Sequence, residues 1–109
     1  MAQTVPLPAS FRRLPIAHRA LHDRSAGRPE NSRAAVRAAV AAGYGIEIDI
    51  QPSGDGVPMV FHDYDLHRLT GHGGRIRAHS ARDLGAIRIL DAEDGIPTLA
   101  EVLEIVAGR

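Results

Sequence analysis

Residues 44–63 read Tyr44-Gly45-Ile46-Glu47-Ile48-Asp49-Ile50-Gln51, then Pro52-Ser53-Gly54-Asp55-Gly56, then Val57-Pro58-Met59-Val60-Phe61-His62-Asp63. Side chains alternate between the faces of a strand, so Ile46, Ile48 and Ile50 make one apolar face while Glu47, Asp49 and Gln51 share the other. Two carboxylates side by side repel. A fold that keeps both ionised supplies a cation between them, most simply a divalent metal with oxygen ligands. The same alternation also suits an ordinary half-exposed strand with both acids in solvent, so the rest of the chain has to decide. Gly54-Asp55-Gly56 forms a turn, and the apolar run after it brings His62-Asp63 toward the carboxylate pair. The link is too short for the crossover that parallel neighbours need; local rules favour a hairpin, although the sequence leaves its geometry open.

Upstream, residues 14–17 are a short apolar run ending on His18-Arg19, and residues 1–13, with Pro6 and Pro8 and no period, read as a lead-in segment. A strand that ends on His-Arg presents them at its carboxyl end, where parallel α/β folds bind ligands. Residues 20–29 read as a loop. Asn31 or Ser32 then caps a helix running to about Ala42, with Gly43 as its stop and Val36, Ala39, Val40 and Gly43 on a thin apolar stripe. Strand, loop, helix and strand make a βαβ unit, which fits a parallel sheet.

Downstream, residues 64–70 read as irregular and residues 71–74 as a Gly-rich loop. Ser80 with Asp83 caps a short helix to about Gly85, and residues 87–90 are a brief extended piece. Thr98 and Glu101 form a second capping box, followed by the chain's clearest helical stripe, Leu99, Val102, Leu103 and Val106, with Gly108 as the stop. There is no internal repeat and no sign of a second domain.

Composition narrows the function classes. The 109 residues, 44% hydrophobic, fit one globular domain. Thirteen acidic residues balance 13 basic ones, all of them Arg, which argues against a general nucleic-acid or membrane-surface role. Cysteine is absent, which excludes disulfides and thiolate chemistry. No apolar run approaches the roughly 20 residues of a membrane span and no secretion signal is evident, so the expected location is cytoplasmic.

The residues that could carry chemistry are His18, Arg19, Glu47, Asp49 and His62, each at or near the carboxyl end of a predicted strand. Two imidazoles beside a carboxylate-held cation make a general acid and a general base. The planar fork of Arg19 suits a phosphate. Together they point to metal-assisted cleavage of a phosphate ester. His22, His67, His72 and His79 read as surface or loop residues. Glu30 and Asn31 read as residues starting a helix, in a loop near enough to His18 to touch substrate. Asp63 either orients His62 or closes a turn.

Six words in this chain resemble a known family: residues 17–19 (Ala-His-Arg), 29–32 (Pro-Glu-Asn-Ser), 45–50 (Gly-Ile-Glu-Ile-Asp-Ile), 55–63 (Asp-Gly-Val-Pro-Met-Val-Phe-His-Asp), 66–71 (Leu-His-Arg-Leu-Thr-Gly) and 96–103 (Ile-Pro-Thr-Leu-Ala-Glu-Val-Leu). In order and spacing they resemble the glycerophosphodiester phosphodiesterases, within the phospholipase-C-like phosphodiesterases. The resemblance implies an α/β fold, a partial (β/α) TIM-type barrel of the first three or so strands, spanning residues 14–109. Its second and third strands would be joined without a full helix. It implies hydrolysis of glycerophosphodiesters to glycerol phosphate and an alcohol. It would make His18 and His62 the acid/base pair, Arg19 the phosphate binder, and Glu47 and Asp49 ligands of a divalent cation, Mg²⁺ or Ca²⁺. Two departures stand out: the family's His-Arg-Gly is His-Arg-Ala here, and its third carboxylate ligand and a lysine belong to later strands. A full barrel takes roughly 250 residues. The rival expectation is a non-catalytic remnant that binds phosphate or metal weakly, associates through uncovered sheet edges, or pairs with a partner chain.

Overall fold

Gly45 lets two strands close up. A Cβ at that position would sit 3.2 Å from the Ile16 side chain, and β1 (Ile16–Ala17) and β2 (Gly45–Ile46) lie there as a parallel pair with Ile16 opposite Gly45 and Ala17 opposite Ile46. The computed structural model describes residues 14–90 and 92–108 together with residues 5, 6 and 9, so the expected lead-in at 1–13 lies, apart from those three, outside the described residues.

The crossover between these strands is the expected one. Its loop contains a single 3₁₀ turn, Arg24–Ala26, whose Asp23 cap and left-handed Gly27 close it. Of the two candidate caps, Ser32 starts helix α1 (Arg33–Ala42) by accepting from Ala35 N–H, and Gly43, at φ 72°, ends it. Ala35, Val36 and Ala39 form its buried face.

The 44–51 run was expected as one strand and changes partners midway. Gly45 and Glu47 donate to the carbonyls of Pro15 and Ala17, whereas the Asp49 carbonyl accepts from Phe61 N–H. From there β3 (Ile50–Pro52) pairs antiparallel with β4 (Pro58–Val60), in a register that sets Pro52 against Pro58, so the short link is a hairpin as local rules favoured. The switch also corrects the apolar face: Ile46 and Ile48 pack inward, but Ile50 is 56% exposed while Gln51 is buried. Gln51 repays its burial by donating to the carbonyls of Phe61 and Asp63.

β4 divides the interior. Val60 faces one cluster, with Ala20, Ala35, Val36 and Val102, while Met59 and Phe61 face another, with Leu66, Leu69, Ile76, Leu84, Ile89 and Ile96. Each large side chain fully buried there is worth about 1.5–3 kcal/mol. Residues 64–70, expected to be irregular, include a short helix, α2 (His67–Thr70), whose buried Leu69 anchors it. Helix α3 (Ala81–Gly85) starts at Ser80, and the expected extended piece at 87–90 reduces to one bridge, Arg88 to Gly95. Helix α4 (Leu99–Val106) has its full Thr98–Glu101 capping box. Its turn-off begins at Ala107, one residue before the expected Gly108, and Leu103 lies outside the stripe, facing solvent. Among the described residues no helix is long and apolar enough to cross a membrane.

Candidate active site

His18 and Arg19 leave β1 as the chain turns sharply. Arg19 and Ala20 both take left-handed backbone angles, φ 55° and 65°, a conformation that costs a residue with a Cβ roughly 1 kcal/mol. Hydrogen bonds hold the turn: Arg19 N–H donates to Glu47 Oε2 at 2.9 Å and Ala20 N–H to the Glu47 carbonyl at 3.0 Å. Ala20, where the resembling family has Gly, therefore buries its methyl in the core beside Val36 and Val60. His18 stays in water, its side chain 70% exposed, with Nε2 3.8 Å from Glu47 Oε2.

Asn31 has a left-handed backbone as well, at φ 56°, and is fully buried. Its side-chain amide donates to Asp49 Oδ2 at 3.1 Å and accepts from Asp49 N–H at 3.4 Å. This residue, read from the sequence as a helix starter, instead fixes the Asp49 carboxylate. The Arg19 guanidinium lies between acids, with Nη1 donating to Glu30 Oε2 at 3.2 Å and Nε 3.7 Å from Asp49 Oδ2. That Nε is buried without a hydrogen-bond acceptor among the described residues.

On the other side of the seam, His62 Nδ1 is 2.7 Å from Asp63 Oδ1. Asp63 also takes two hydrogen bonds from Arg68, Nε to Oδ2 at 2.8 Å and Nη2 to Oδ1 at 2.9 Å. The Arg68 hydrogen bonds, reinforced by His62, outweigh desolvation and hold the Asp63 carboxyl down at about 2. An ionised carboxylate can only accept, so His62 Nδ1 carries the hydrogen and Nε2 is left to exchange a proton. Burial works against the Glu30 charge, but the Arg68 hydrogen bond and the Arg68 and Arg19 charges prevail and lower its pKa. An open cavity of about 390 Å³ lies against His62, Asp63, Tyr64 and Asp65.

The five residues expected from sequence thus fall into two groups linked by ion pairs. His18, Arg19, Glu47 and Asp49 meet directly, while His62 connects to them through Asp63, Arg68 and Glu30. Arg68 was missed as a site residue. Glu30 and Arg68 each stand in one of the family-like words, 29–32 and 66–71, but nothing local pairs residues 38 positions apart. His22, His67 and His72 are exposed as expected, and His79 is half-buried.

The bonds on Glu47 and Asp49 fall on Oε2 and Oδ2, so among the described residues the second oxygen of each carboxylate is open to a ligand. Two hard anionic oxygens fit a cation such as Mg²⁺ or Ca²⁺, though they fill only part of a shell of roughly six ligands. Among the described residues no group of three or more His, Asp or Glu side chains is placed to share one ion.

The glycerophosphoryl diester phosphodiesterase family matches residues 18–109, and the chain belongs to that family. It is 38% identical over 88 residues to a glycerophosphodiester phosphodiesterase of Bacillus altitudinis, covering 74% of this chain and 36% of that protein. One from Caldanaerobacter subterraneus is 35% identical over 106 residues, covering 88% and 41%. Among solved structures, an Oleispira antarctica phosphodiesterase in complex with the product sn-glycerol-3-phosphate superposes with a TM-score of 0.76 at 33% identity, over 91% of this chain and 42% of that one. The likeness bears out the α/β partial barrel. The chain spans about two fifths of these bacterial relatives, and 18% of the rat protein glycerophosphodiester phosphodiesterase 1.

Proposed function

We propose that residues 14–109 are the amino-terminal part of a phosphodiesterase domain that hydrolyses glycerophosphodiesters to glycerol phosphate and an alcohol. The observation that carries this reading is the linked cluster: His18 at Glu47, Arg19 between Glu30 and Asp49, and His62 held by Asp63. Family membership and the product named for the Oleispira neighbour support the substrate class.

In this proposal Glu47 and Asp49 hold a divalent cation, Mg²⁺ or Ca²⁺, through the oxygens not already bonded. Bound there, the ion supplies positive charge against the phosphoryl oxygens. Arg19 turns its guanidinium to the same phosphate, oriented by Glu30 and with its Nε not yet satisfied. His62 exchanges a proton at Nε2 and His18, open to water, exchanges the other, one toward the leaving oxygen and one from the attacking nucleophile.

A second reading has its own support. Two carboxylates are a sparse cage, and the chain matches about two fifths of its bacterial relatives. A weak phosphate or metal binder that needs further chain, or a partner, to complete the barrel would look the same. Calorimetric titration with Mg²⁺ and Ca²⁺, alongside hydrolysis of glycerophosphocholine, separates the two. Turnover abolished by His18→Ala and by His62→Ala supports the enzyme. Binding weaker than millimolar, with no turnover at any metal concentration, overturns it in favour of the binder.

A further inference from the structure

One guanidinium crosses the seam between the two halves of the site. Arg68, from the short helix α2, makes a fork to Asp63 through Nε and Nη2, and a second fork to Glu30 through Nη1 to Oε1 at 2.8 Å and Nη2 to Oε2 at 3.1 Å. Glu30 is nearly buried, with its side chain 10% exposed, and the same Oε2 accepts from Arg19. Asp63 in turn accepts from the ring of His62. We propose that Arg68 is a positioning residue that spans the site, holding His62 in one ring tautomer through Asp63 and holding the Arg19 guanidinium through Glu30.

The geometry argues against an ordinary surface ion pair. Exposed pairs contribute little because water and salt screen them and long side chains must be held still for one contact. Here four hydrogen bonds converge on one planar group, and each carboxylate it binds is also bound to a residue proposed for the chemistry. Sharing has a second effect. Glu30 divides its charge between two arginines, so it orients Arg19 without neutralising it and leaves donors for a phosphate. Lysine could supply the charge of Arg68 but not the two forks.

The inference takes the roles of His62 and Arg19 from the phosphodiesterase reading, but its test needs no turnover. In the ¹⁵N-labelled 109-residue chain, the neutral His62 ring is expected in the Nδ1–H form. Arg68→Gln is expected to free the Asp63 carboxylate, still ionised, to swing off the His62 ring, giving a mixture of tautomers, and to raise the Asp63 titration midpoint by about one unit or more, the scale of a lost neighbouring charge. Arg68→Lys should recover part of the Asp63 shift without restoring the single tautomer. Glu30→Gln weakens both the second fork and the Arg19 Nη1 bond that shares Oε2, so the Arg19 guanidinium N–H groups are expected to exchange faster with solvent while His62 is unchanged. An Nε2–H ring in the unmutated chain, ring signals untouched by Arg68→Gln, or an Arg19 signal indifferent to Glu30→Gln overturns the proposal. The first and third hold even if Arg68→Gln fails to fold. A chain that binds no metal and hydrolyses nothing defeats the phosphodiesterase reading and leaves this one intact.

Discussion

The two faces of β4 solve the same problem with different material. On the Met59 and Phe61 side, large apolar residues drawn mostly from loops, turns and one-turn helices are almost wholly buried: Leu66, Leu69, Ile76, Leu84, Ile89 and Ile96. On the Val60 side, the regular strands and longer helices build a core of Ala and Val, with Val40, Ile46, Ile48, Leu99, Ile105 and Val106 only partly covered. Regular structure and tight burial have come apart. The irregular segment closes upon itself, whereas the βαβ layer is made to be covered by neighbours of its own kind, as barrel strands and helices are. The site lies where the two meet, and the ion pairs of Arg68 cross between them.

That contrast can be broken by mutation. Phe61→Ala, which empties the tighter core, is expected to lose about 3–5 kcal/mol in urea unfolding, against about 2 kcal/mol for Val36→Ala in the looser one. Equal losses, although phenylalanine loses the larger side chain, would mean that the Phe61 core is the looser of the two. Gly95→Ala comes next. Its new methyl would meet the Gly85 carbonyl oxygen at 1.9 Å, and relieving a backbone clash of that kind costs about 1–3 kcal/mol or more. An unchanged denaturant midpoint would place the 85–95 contact elsewhere.

Acid should act on the seam. The Asp63 pKa is depressed from an ordinary 3.8 to about 2, so its contribution is present above about pH 4 and is lost as pH falls through about 2. Glu30, lowered as well, works in the same direction. Asp63→Asn is therefore expected to flatten the fall of Tm with pH over that window, and parallel curves for the two proteins would refute it. The smallest effect is expected at Ala20. Gly there relieves roughly 1 kcal/mol of left-handed strain and gives up a buried methyl worth about 0.8 kcal/mol, so stability should move by less than about 1 kcal/mol. A large gain would show that the strain at Arg19-Ala20 was poorly compensated.

Local chemistry made part of this legible from residues alone. The Ser80 and Thr98 caps, the left-handed Gly43 and the hairpin turn at 54–56 are all set by a few neighbours and fall where the sequence places them, and Ser32 is one of the two caps it offers for α1. The errors came where tertiary pairing overrides local pattern. Ile50 fits the apolar face by period, yet the strand has by then changed partners and leaves it in water. Leu103 fits the α4 stripe by period, yet no described element packs over it and it faces solvent. For the site, His18, Arg19, Glu47 and Asp49 could be seen to converge because strand ends place them. Arg68 could not, because its partners Glu30 and Asp63 meet it only after the loop and α2 have docked.

The Pro52–Pro58 pair at the end of the β3–β4 hairpin has a consequence for crowded solutions. Neither ring nitrogen carries a hydrogen to lend. An extended segment approaching that tip finds carbonyls but no amide donors at these two positions, so the ladder cannot be lengthened there by an intruding chain. Encounters between copies at this corner lack the reciprocal backbone pairing, donor and acceptor together, that would make them lasting.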